Sequence, residues 1–60
     1  MTPMEYQNQL KRIIEMFQSL KKKETRSAIR MLYQDAIRVL QAETVSAELL
    51  EEFRIMLLQG

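Results

Sequence analysis

Along the first twenty positions, apolar residues recur at alternating spacings of four and three, which is the period of an amphipathic helix. The stripe consists of Tyr6, Leu10, Ile13, Ile14, Met16, Phe17 and Leu20. Upstream, Thr2, Pro3 and Glu5 supply an N-cap, a residue suited to the first helical turn and a capping-box partner. The pattern predicts a first helix over residues 3–22 with this stripe in the core.

The polar run from Lys21 to Thr25 interrupts the period. Continuing the stripe would place Glu24 and Ser27 at core positions, so we interpret the run as a turn. Lysine and glutamate are good helix formers, and neither glycine nor proline forces a break, so a second interpretation stays open. If the helix continues, residues 3–41 form one long rod that must dimerise to bury its apolar side.

A second helix is predicted over residues 25–41, with a broad apolar face and a polar opposite face. The apolar face consists of Ile29, Leu32, Tyr33, Ala36, Ile37, Val39 and Leu40. Met31 lies off this stripe, and a single exposed apolar residue of that kind is ordinary.

A third helix is predicted over residues 46–58. Ser46 is a suitable N-cap, and Glu48 lies in the electropositive first turn. Val45 is placed to pack on Leu50 as a hydrophobic staple.

This third helix carries more large apolar side chains than one face can hide. One face holds Leu49, Leu50, Phe53, Met56 and Leu57. At 100° per residue, Ile55 and Leu58 point well away from it. Because a contiguous exposed apolar patch is a solubility liability unless covered, we predict a partner-binding surface at Ile55 and Leu58. Phe53 and Met56 would join it if the helices open.

The predicted fold class is all-α, with three short helices in a small bundle or helical hairpin. A chain of sixty residues makes at most one domain, and it buries only about 60% of the surface that its unfolded state exposes. With no cysteine and no histidine, disulfides and a structural zinc site cannot add stability. We therefore expect homodimerisation to complete the core.

The residue types argue against catalysis. The commonest general base and the commonest strong nucleophile, histidine and cysteine, are absent, and no serine or threonine has a histidine to activate it. Glu51 and Glu52 are adjacent, so they diverge on a helix and do not form a paired-carboxylate site. The sequence contains no phosphate-binding loop or metal-ligand spacing. We expect no enzyme, no cofactor, no metal and no small-molecule substrate.

Charge is distributed unevenly along the chain. Residues 1–30 carry seven basic and three acidic side chains, a net charge of +4, whereas residues 31–60 carry two basic and five acidic ones, a net charge of −3. Such a bipolar molecule can associate with itself head to tail or antiparallel. Solvated helix faces are the simpler interpretation of the same pattern.

Basic residues cluster around the second helix, where Arg26, Arg30, Gln34 and Arg38 recur every four positions beside the run of Lys21, Lys22 and Lys23. These residue types contact phosphates and base edges. Three interpretations stay open. A solvated face ranks first, an acidic protein partner second and nucleic acid third. Nucleic acid ranks last because the acidic third helix would repel phosphates.

The function that the sequence favours is non-catalytic protein binding, by a small regulator, inhibitor or adaptor. Its partner would be another protein, a second copy of itself, or both. We expect a cytoplasmic location without a signal peptide, a membrane span or membrane-surface binding. The alternative is a small nucleic-acid-binding regulator that uses the arginine and lysine residues around the second helix.

Overall fold

The protein is built from three α-helices. A computed structural model describes residues 2–42 and 44–59. The helices are α1 (Pro3–Lys23), α2 (Ser27–Ala42) and α3 (Ala47–Gln59). The predicted all-α fold is confirmed, and every helix end lies within about two residues of its predicted position, the usual scatter for helix boundaries. Three residues lie outside the described part of the chain, namely Met1, Glu43 and Gly60. Glu43 is one of the five acidic side chains counted in the net charge of residues 31–60.

Two of the helices begin at the predicted N-caps. Thr2 Oγ1 accepts a hydrogen bond from the backbone N–H of Glu5 at 3.2 Å, at the start of α1. Ser46 Oγ accepts one from the backbone N–H of Leu49 at 3.1 Å, at the start of α3. Each side chain satisfies a donor that has no partner within the helix, so both helix starts are encoded locally.

The chain turns between α1 and α2 at residues 24–26, so the two helices do not form one rod. Glu24 has extended backbone angles, and its N–H donates to the carbonyl oxygens of Leu20 and Lys21. Its carboxylate oxygen Oε1 accepts from the backbone N–H groups of Thr25 and Arg26, at 3.0 Å each. Glu24 therefore ends α1 and also satisfies donors just before α2.

The core combines side chains from all three helices and from the segment before α3. Its buried members are Ile13, Phe17, Ile37, Leu40, Val45 and Leu50. The residues of the predicted staple, Val45 and Leu50, are both buried in this cluster, as expected. Phe17 lies between the other two helices. Its ring centroid is 6.1 Å from that of Tyr33 in α2 and 5.7 Å from that of Phe53 in α3, the latter in an edge-to-face arrangement that aromatic pairs favour.

The central helix is α1, because the backbones of α2 and α3 both approach it more closely than they approach each other. Over the described residues, no Cα atom of α2 comes within 8 Å of one in α3. The Cα atoms span 36 × 24 × 15 Å, a flattened shape. Near the start of α3, the Tyr6 hydroxyl donates to the Val45 carbonyl at 2.5 Å, and the Gln9 amide donates to the Glu51 carboxylate at 3.1 Å. These bonds join α1 to α3 and to the segment before it.

Four side chains predicted on core faces are exposed. They are Leu20, Leu32, Leu49 and Met56. The expectation was wrong for them because it assumed that every apolar stripe meets another helix. The other described helices do not cover these four positions. Leu32 is 66% exposed for this reason, and with Met31 it makes the outer side of α2 less polar than expected.

Candidate interaction surface

An apolar groove lies at the end of the molecule where α2 and α3 stand apart. It encloses about 250 Å³. Its walls are Phe17, Leu20, Tyr33, Met56 and Leu57, and we call these five residues the apolar groove. Phe17 is buried and forms the floor, whereas Met56 is 63% exposed at the rim. A flexible methionine at the rim of an apolar depression suits the docking of an apolar side chain from a partner.

The four predicted partner-binding residues do not form one surface. Phe53 is packed against the ring of Phe17 inside the protein, and Met56 lines the apolar groove. Ile55 and Leu58 lie 43% and 67% exposed, and we call this pair the outer edge of α3. At 100° per residue, Leu58 lies about 160° from Met56 around the helix axis. The groove and the outer edge are therefore separate candidate contacts on one helix.

The predicted basic face is likewise divided. Arg26 lies in the turn before α2 and is bound by Glu24, with Nε to Oε1 at 3.0 Å and Nη2 to Oε2 at 3.2 Å. These hydrogen bonds from the Arg26 side chain, with one from its backbone N–H, lower the pKa of Glu24 to about 2. Arg38 contacts Asp35 one turn earlier at 3.1 Å. Both arginines already have an acidic neighbour.

Three other basic residues do come together. Lys21, Lys22 and Arg30 line a cleft between α1 and α2 of about 340 Å³. Lys21 Nζ also donates to the Gln34 side chain across this cleft. Lys23 is exposed beyond it at the last position of α1. The cleft is the part of the predicted basic face that can receive an acidic group.

A polar contact that the sequence pattern did not indicate holds α3 against α1. Glu51 accepts from Gln9 of α1 and from Arg54 one turn later in α3. The Arg54 guanidinium, and next the Gln9 amide, hold the pKa of Glu51 below its usual value. The sequence suggested only a favourable charge in the first turn of α3. No local spacing links Gln9 with a residue forty-two positions away, so only the tertiary structure brings them together.

Within residues 2–42 and 44–59, no group of three or more potential ligands is arranged to hold a metal ion. In the same part of the chain, no helix combines the length and the apolar character needed to cross a membrane. No protein-family model matches this chain, and comparisons with curated proteins and with solved structures likewise give no match.

Proposed function

We propose that this chain is a non-catalytic protein-binding module, a small regulator, inhibitor or adaptor that acts through exposed apolar helical surfaces. The observation that carries the proposal is the exposure of apolar side chains on α3. Seven of its thirteen residues are large and apolar, yet only Leu50 is fully buried. Leu49, Ile55, Met56 and Leu58 are exposed. A short terminal helix that leaves so much apolar surface in water is expected to bind another chain.

The partner is another protein chain, and a second copy of this chain is included. A domain of this size has little core of its own, so association supports both folding and binding. The expected cytoplasmic location stays a prediction.

The proposal is tested by photo-crosslinking in the source cell, with a photoreactive residue in place of Met56 or of Leu58. Protein adducts, identified by mass spectrometry, are expected from at least one position. The same photoreactive residue in place of Glu15, which is exposed on α1, controls for random collisions. If the positions in α3 give no more adducts than position 15, the proposal is wrong.

A second candidate function, binding of nucleic acid, is supported by one observation, the convergence of Lys21, Lys22 and Arg30 on one cleft. Phosphate contacts of this kind make affinity fall steeply with salt. The test is a retardation assay with mixed-sequence duplex at low salt, repeated with Arg30→Ala. Loss of retardation in the variant and at higher salt would support this candidate. An absence of retardation at low salt would eliminate it.

A further inference from the structure

We propose that the apolar groove is the contact surface for a second copy of this chain, which docks in an antiparallel, two-fold symmetric arrangement. The inference rests on the proposed function and names both the surface and the partner. It assigns the contact to Leu20, Tyr33 and Met56, and leaves the outer edge of α3 outside this interface. Three properties of the structure carry it.

The first property is the place of the groove in the architecture. Over the described residues, no Cα atom of α2 lies within 8 Å of one in α3. Phe17 and Leu20 of α1 line the groove together with Tyr33 of α2 and Met56 of α3. Helices pack about 8–10 Å apart, so this groove can receive side chains of another helix.

The second property is the exposed area. The structure exposes 4790 Å² of surface. A compact monomer of 7.2 kDa is expected to expose about 4,100 Å². The excess of about 700 Å² belongs to the whole molecule, and its size is close to the roughly 800 Å² that each partner contributes to a standard stable interface.

The third property is the charge carried by α1 and α3 one turn away from their groove residues, which matches a second copy in one orientation. Contacts near both ends show that α1 and α3 run in the same direction, since Gln9 meets Glu51 and Leu20 shares the groove with Met56. Lys23 lies one turn beyond Leu20, and Glu52 lies one turn before Met56. An antiparallel copy therefore brings the basic end of one protomer towards the acidic stretch of the other, twice by symmetry.

A parallel pair has the opposite electrostatics, because it brings the two lysine-rich ends together. An unrelated helix could fill the groove, but it would not require a basic residue one turn beyond Leu20 together with an acidic one a turn before Met56. Self-complementarity of this kind is what an isologous interface needs.

Sedimentation equilibrium of the purified chain over a concentration series tests the inference. The wild type is expected to be a dimer, and Met56→Glu is expected to weaken dimerisation about tenfold or more, as for a central interface residue. Leu58→Glu is the matched control, since it makes the same kind of change at an equally exposed position of α3 outside the groove. It should leave the dimer intact, and circular dichroism should show that both variants are helical.

Charge reversal tests the orientation. In the antiparallel dimer, Lys23→Glu and Glu52→Lys should each weaken association, and the double variant should regain it. In a parallel dimer, Lys23→Glu would instead strengthen association, and that result would overturn the proposed arrangement.

Two outcomes separate this inference from the proposed function. A wild-type monomer at high concentration, or a dimer lost with Leu58→Glu but not with Met56→Glu, overturns the groove dimer. The protein-binding function then still depends on the crosslinking result in the cell. If that experiment gives no adducts and the purified chain is monomeric, both are wrong.

Discussion

Two leucines of α3, Leu50 and Leu58, allow the packing of the core to be tested with identical substitutions. Leu50 has no exposed surface, and Leu58 is 67% exposed. Leu50→Ala removes the same atoms and makes the same change in helix propensity as Leu58→Ala. Any difference between the two variants therefore measures burial of the side chain.

The expected magnitude for Leu50→Ala is large relative to the stability of the whole domain. Truncating a fully buried leucine costs about 2.7–5.0 kcal/mol in the best-studied series, because the lost transfer free energy adds to that of the cavity. At about 0.05–0.15 kcal/mol per residue, a 60-residue domain has a free energy of unfolding of only about 3–9 kcal/mol. Leu50→Ala should therefore remove about a third of it or more, whereas an exposed truncation such as Leu58→Ala should change it by less than about 0.5 kcal/mol.

Urea unfolding followed by circular dichroism at 222 nm measures the difference. The two variants and the wild type are compared at one protein concentration, since association shifts the unfolding midpoint. With a slope near about 1 kcal/mol per M urea for so small a protein, the midpoint of Leu50→Ala should fall by more than about 2 M or leave no folded baseline. Equal midpoints for the two variants would refute the packing of α3 against α1 described above.

Three further substitutions test hydrogen bonds outside the hydrophobic cluster. The pKa of Glu24 is lowered from 4.5 to about 2 by Arg26. The ionised carboxylate of Glu24 therefore stabilises the fold above pH 4.5, and this contribution is lost as the pH falls through 2. Glu24→Gln should narrow the difference between the urea midpoints measured at pH 6 and at pH 2. Tyr6→Phe removes the bond to the Val45 carbonyl and should lower the free energy of unfolding by about 0.5–1.5 kcal/mol, measured by urea denaturation; an unchanged midpoint would count against that bond. Ser46→Ala removes the N-cap of α3 and should cost about 0.5–2 kcal/mol; helix content and midpoint equal to those of the wild type would contradict its capping role.

The helices were predictable because their signals are local. The apolar period of α1 and the caps at Thr2 and Ser46 depend on residues within one or two turns, and the structure has all of them. The polar run from Lys21 to Thr25 was interpreted as a turn, and the chain does turn before α2, but Lys21, Lys22 and Lys23 belong to α1 and the turn lies at residues 24–26. Its cause is the Glu24 carboxylate, which binds two backbone N–H groups, a use of glutamate that periodicity does not reveal.

The interaction surface was less predictable because it depends on which helices meet. The exposure of Ile55 and Leu58 followed from their angle on α3. The exposure of Leu20 and Met56 did not, since their stripes look like ordinary core positions. The pattern does not state that the backbones of α2 and α3 each approach α1 and not one another. The basic residues show the same limit. The sequence placed Arg26, Arg30 and Arg38 on one charged face with the lysines, while of these arginines Arg30 alone lines the cleft with Lys21 and Lys22.

Under the proposed function, folding and binding share side chains, and Phe17 is the residue common to both. Its ring is the aromatic bridge from α1 to Tyr33 in α2 and to Phe53 in α3, and it also forms the floor of the apolar groove. A chain seated in the groove would cover Met56 and exclude water from the open side of this aromatic cluster. Ligands that bind only the folded state stabilise it. Under the proposed function, an occupant of the groove would therefore stabilise the aromatic cluster that joins α1 to α2 and α3.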